Sequence, residues 1–137
     1  MQNEIQTSEF FKGGNALFTV GNPTGEHYTF KIRQPKGDNK PYFVSLLTGP
    51  QNDSDYTYLG IFNPIQMRVY LTKKSKYTEE STPVKVVRWA IQMVALGRLA
   101  PEGYTIQHEG RCCRCGRTLT TPESVEAGIG PECAKKN

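Results

Sequence analysis

Four cysteines lie between positions 112 and 133, and none precedes them. This clustering constrains the chain more than any other feature, because it marks a segment whose folding depends on side-chain chemistry and not on a core of its own. Cys112 and Cys115 form a Cys-x-x-Cys pair followed by Gly116, the arrangement of a zinc knuckle. Two intervening residues let one tight turn present both sulfurs to one ion, and a following glycine can take the positive φ that turns the chain back. Cys133 follows Gly130-Pro131, a pattern expected at a helix start. Exposed N–H groups and the helix dipole there favour a thiolate. A further short helix is expected to begin at Thr121-Pro122-Glu123 and stop at Gly128.

The fourth ligand is read as His108, on a strand approaching the knuckle, which completes a Cys3His set with Cys112, Cys115 and Cys133. Cys113 and an open, water-filled position are the alternatives. Cys113 is a poor ligand in this setting because adjacent residues in a tight turn point their side chains apart. A structural zinc is expected over a catalytic one, since only Glu109 and Glu132 stand near enough in sequence to act as a general base. Two disulfides, or a redox-active Cys-x-x-Cys, are the competing uses of these thiols. Met1 to Gln6 lacks the basic-then-apolar pattern of a secretory signal, and no apolar run approaches the ~20 residues that span a bilayer. A cytoplasmic location is therefore expected, and in reducing compartments clustered cysteines hold metal more often than they form disulfides.

Upstream, the pattern is that of strands followed by one helix. Residues 1–12 show no periodicity and read as a loose terminus. Leu17 to Val20, Tyr28 to Arg33, Tyr42 to Leu47, Tyr56 to Phe62 and Met67 to Leu71 read as strands separated by turn residues. Tyr56, Tyr58, Gly60 and Phe62 are expected on one face. Thr82-Pro83 reads as an N-cap with proline at the first helical position, opening a mostly buried helix from Pro83 to Gly97. Val84, Val87, Ile91 and Val94 form one apolar stripe of that helix, and Trp89, Met93 and Leu96 a second. A short strand from Tyr104 to His108 leads into the cysteines. The expected architecture is α+β: an antiparallel sheet of four or five strands with one packed helix over residues 13–107, plus a zinc-binding module over 108–137. Leu119, Val125 and Ile129 of that module are expected to pack on the main domain beside Tyr104 and Ile106. At 36% hydrophobic and 22% charged residues the composition is that of a folded soluble domain.

The run Cys112-x-x-Cys115-Gly116-Arg117-x-Leu119-Thr120-x-Pro122-Glu123-Ser124, continued by Gly128-Ile129-Gly130-Pro131-x-Cys133, resembles a small family of uncharacterised zinc-finger-like domains. That family carries a domain-of-unknown-function label and is common in bacteriophage and actinobacterial proteins. The stretch Tyr42 to Pro50 also looks like small phage proteins with this tail. Cys113 departs from the family pattern. The resemblance implies no settled activity; members sometimes sit beside helicase-like or other DNA-processing modules, which hints at a nucleic-acid context.

Three classes of function are in view. A nucleic-acid-associated binding module is suggested by Arg111, Arg114, Arg117, Lys135 and Lys136 around the cysteines, with a second cluster at Lys73, Lys74, Lys76, Lys85 and Arg88. Aromatic residues on strands, such as Tyr28 with Phe30 or Tyr56 with Tyr58, are candidate stacking surfaces, although strand aromatics are more often core. The net charge of +4 permits such contacts without requiring them. The alternative is a protein that binds and modulates a host protein, either a nucleic-acid enzyme or a defence system, with the loop Gly49 to Asp55 as a contact surface. An enzyme is not expected: His27 and His108 are the only histidines, and no Ser-His-Asp grouping, phosphate-binding glycine loop or His-Glu-x-x-His motif is present. No membrane association and no small-molecule substrate are expected.

Overall fold

The computed structural model describes the chain except for residues 1–3, 6, 37–39, 51–53, 99, 117, 119–127 and 130–137. Its centre is a six-stranded antiparallel sheet. The strands are β1 (Asn15–Gly21), β2 (His27–Arg33), β3 (Tyr42–Leu47), β4 (Tyr56–Asn63), β5 (Arg68–Tyr70) and β6 (Thr105–His108). Their order across the sheet is β5-β4-β3-β2-β1-β6. The first five form a meander, as their short connections require. The sixth returns after the helix and pairs with β1, placing Ile106 opposite Val20 and His108 opposite Phe18. The sheet thus has one strand more than the upper expectation, because the strand leading to the cysteines joins the same sheet.

Alternation along the strands gives the sheet two unlike faces. Ala16, Phe18, Phe30, Ile32, Val44 and Phe62 point inward and are almost completely buried. The helix α1 (Thr82–Ala95) covers this face through Val84, Val87, Ala90 and Ile91. Its N-cap is Ser81, one residue earlier than expected, and Pro83 sits within the first turn, where its missing N–H costs nothing. Because the helix ends at Ala95, Leu96 falls outside the buried stripe and is 61% exposed.

Two expectations fail here for identifiable reasons. The N-terminal segment is not loose: a 3-10 helix, Ser8–Lys12, inserts Phe10 and Phe11 into the core. Phe11 packs edge-on against Phe18 and Phe62, with centroids at 5.1 and 6.5 Å. Fully burying such a ring is worth about 1.5–3 kcal/mol, ample to hold a short segment whose single turn shows no sequence period. Nor do Tyr56, Tyr58, Gly60 and Phe62 share a face. Val44 pairs with Gly60 and Ser45 with Tyr58, so Leu59 is an extra, bulged residue that inverts the alternation. Phe62 stays in the core, while Tyr56 and Tyr58 lie on the outer face opposite Leu47 and Ser45.

Both edges of the sheet are blunted. Outside β6, Ile5 N–H donates to Ile106 O (3.1 Å) and Glu4 bridges to Gln107. Outside β5, Arg88 donates from Nε and Nη2 to Val69 O at 3.1 and 2.9 Å. The same guanidinium hydrogen-bonds Glu79 and holds its carboxyl below the usual range. Exposed backbone edges invite pairing between chains, and these contacts remove the template. They also commit Arg88 to a structural role and take it out of the expected basic cluster. No helix among the described residues is long and apolar enough to cross a membrane.

Candidate metal centre and the surface beside it

The knuckle turn forms where the Cys-x-x-Cys-Gly spacing places it. Gly116 N–H donates to Cys112 O at 2.9 Å, Gly116 takes φ +79°, and Arg111 bridges across to Thr118 in antiparallel fashion. Within the turn, Arg114 N–H and Cys115 N–H both point at Cys112 Sγ, at 3.4 and 3.5 Å. Two amide donors aimed at one sulfur favour its thiolate form. Cys112 is fully enclosed, and a buried thiolate needs a compensating cation. The donor chemistry therefore fits a soft divalent ion such as zinc. Cys112, Cys113 and Cys115 form no disulfide among the described residues.

Cys113 faces the other way. Its Sγ would stand 2.7 Å from a Cβ placed on Gly13, and its side chain belongs to the main core. Its N–H donates to Gly128 O (2.9 Å) and its carbonyl accepts from Asn15 N–H (2.7 Å). Cys113 is thus the residue through which the knuckle is fastened to the sheet.

His108 is buried on the core-facing side of β6. Phe10 stacks on its ring at 5.7 Å, and Gly128 closes over both with φ +73° and no room for a side chain. Gly110 N–H donates to His108 Nδ1 at 3.0 Å. An amide can only donate, so in a neutral ring the proton sits on Nε2. Among the described residues His108, Cys112 and Cys115 are not gathered into a three-donor group; Cys133 lies outside the described residues, as do Arg117, Lys135, Lys136, Leu119, Val125 and both expected short helices. A histidine ligand offers a lone pair to the metal and donates its other N–H. Ligation by His108 must therefore end the Gly110 bond, through either nitrogen. Zinc loading is expected to change the His108 ring 15N shifts, to the Nδ1–H form if Nε2 ligates or by loss of the free Nδ1 lone pair if Nδ1 ligates; ring shifts unchanged in the loaded protein would remove His108 from the ligand set.

The knuckle also meets the outer face of the sheet. Asn15 Nδ2 donates to Arg114 O at 3.1 Å, and Asn15 is the register partner of Arg33. The backbone of the exposed Arg114 is thereby held beside Asn15, next to the outer-face cation Arg33. Lys31 Nζ lies over the Tyr56 ring, 5.2 Å from its centroid. Phe43 and Tyr58 pack at 6.2 Å, with Phe43 36% and Tyr70 42% exposed. The strand residues on this face of β2 to β5 include the cations Lys31, Arg33 and Arg68 and no carboxylate. Of the stacking residues expected from sequence, Phe30 is fully buried and offers no open face. Phe43 and Tyr70 were missed. Phe43 and Tyr70 are both register partners of Ile61, which puts them on this face, and no local pattern carries that.

Residues 105–137 match a family of unknown function, DUF6011. The matched segment begins at the first residue of β6, so it takes in the strand paired with β1 as well as the cysteines. Neither curated proteins nor solved structures show a match.

Proposed function

We propose that this chain is a small, non-enzymatic, phage-type module that binds single-stranded nucleic acid, with its tail held by a structural zinc on His108, Cys112, Cys115 and Cys133. The observation that carries the binding reading is the outer sheet face. Partly exposed aromatic rings sit among Lys31, Arg33 and Arg68, and the backbone at Arg114 is fastened to Asn15 at the edge of this face. Aromatic rings stack on bases of any sequence while cations track the phosphates, so such a face favours single strands with little sequence preference. The remaining basic residues expected to take part, Arg117, Lys135 and Lys136, lie outside the described residues. The phage-type assignment rests on the motif resemblance and the zinc on the donor chemistry of the knuckle.

Fluorescence anisotropy with short single-stranded DNA and RNA tests the reading. Wild type is expected to bind at ~50 mM salt with a steep salt dependence. Phe43→Ala combined with Tyr58→Ala should weaken binding at least about tenfold, since each stacked base is worth roughly 1–3 kcal/mol. Lys31→Ala should flatten the salt slope by about 0.7 if it neutralises one phosphate. Absence of binding to every oligonucleotide at low salt would sink the proposal. A partner retained from host lysate after nuclease treatment would favour the alternative, a modulator of a host protein.

A further inference from the structure

We infer that the recess between the N-terminal half of α1 and the β1–β2 turn binds an organic cation with a compact, alkylated ammonium head. The recess has a volume of about 420 Å³ and lies on the helix-covered side of the sheet, away from the outer face. Tyr28, Val86, Trp89 and Tyr104 line it, with Glu26 and Lys85 also on its wall. Trp89 and Tyr104 touch at 5.5 Å with planes 57° apart. Rings so disposed form a concave corner and not a parallel slot, so a flat base or heterocycle finds no sandwich between them. A rounded cation suits such a corner, because the ring faces carry the negative side of the aromatic quadrupole.

The charged groups on the wall decide the sign of the guest. Asn22 Oδ1 accepts from Thr24 N–H, Thr24 Oγ1 and Glu26 N–H at 3.1, 2.8 and 3.0 Å, building a tight turn. The Glu26 carboxylate accepts from Asn22 Nδ2 at 3.4 Å and lies 3.1 Å from Thr24 Oγ1, whose one proton it shares with Asn22 Oδ1, so the turn restricts its side chain before any ligand arrives. Lys85 is exposed, and its ammonium makes no hydrogen bond or ion pair among the described residues. An anchored acceptor loses little freedom on binding, whereas a loose lysine must be ordered. The fixed charge of the recess is therefore negative, and Lys85 opposes the guest.

Trp89 is the only tryptophan, so its fluorescence reports on the recess directly. The probes are choline and its neutral carbon isostere 3,3-dimethylbutan-1-ol, at constant ionic strength. Choline is expected to perturb Trp89 saturably and to bind about five- to tenfold tighter than the isostere, the margin of a cation–π contact. Glu26→Gln should weaken choline binding severalfold, and Lys85→Met should strengthen it. Equal binding of the isostere, weaker binding in Lys85→Met, or no saturable response from folded protein to ~100 mM choline would each overturn the inference. Because these readouts do not involve the outer face, they stand or fall separately from nucleic-acid binding.

Discussion

Chelating the metal, or replacing Cys112 by Ser, is expected to unfold the tail and to loosen the N-terminal segment with it. Structural zinc in sites of this kind carries roughly 10–16 kcal/mol of apparent binding free energy, which becomes folding free energy. The described part of the tail is short and rests on a few anchors, and these anchors are shared. Phe10 stacks on His108 beneath Gly128, while Asn15 bonds the Cys113 and Arg114 carbonyls. Loss of the knuckle therefore uncovers Phe10 and frees the start of β1. The expected signature is about one zinc per chain by elemental analysis, lost on chelation, with a fall in melting temperature of 10 °C or more, roughly 3 kcal/mol for a chain of this size. Cys113→Ser is the control. It should keep the zinc, since its sulfur faces Gly13, and cost about 1–3 kcal/mol for a hydroxyl in an apolar core. A chain that binds no zinc, or one that keeps its stoichiometry in Cys112→Ser but loses it in Cys113→Ser, would refute this assignment.

Gly13→Ala is expected to have the second-largest effect, about 2–3 kcal/mol, by prising the tail off the sheet. The backbone at Gly13 is ordinary, with φ −69°, so the effect is not one of conformational freedom. A Cβ there would run into the backbone carbonyl of Cys113 and come within 2.7 Å of its sulfur. A carbonyl cannot rotate aside as a flexible side chain can, and this one already accepts the Asn15 N–H. Relief must come from moving the knuckle. Gly14→Ala supplies the contrast: its φ is +99° but its nearest neighbour is 4.0 Å away, so strain without a clash should cost about 1 kcal/mol. Thermal melts with zinc titration separate the two. Gly13→Ala should lower both stability and zinc affinity, and Gly14→Ala chiefly stability. Wild-type behaviour in Gly13→Ala would mean that the tail does not pack as described.

Much of the main fold was legible because its determinants are local. Alternation in Tyr28 to Arg33, the turn residues between strands, and the helical stripe of Val84, Val87, Ile91 and Val94 each declare an element within a few residues. The knuckle turn was legible for the same reason, since Cys-x-x-Cys-Gly specifies its own hydrogen bonds. The bulge at Leu59 was not, because it depends on which residue of β3 lies across from it. It changed the candidate site more than any other feature, by turning Tyr58 outward to meet Phe43.

The sequence by itself determined the class of the fold and the local turn of the tail: strands, one helix, and a Cys-x-x-Cys-Gly turn. Only the tertiary structure decided that β6 returns to β1, that Phe10 and Phe11 are core, and that Cys113 is a fastener. These depend on contacts between residues far apart in the chain, where burial of apolar surface overrides local preference. Cys112 to Gly116 thus reads as a local motif in the sequence and, in the folded chain, as a clasp between β1 and the residues that follow β6.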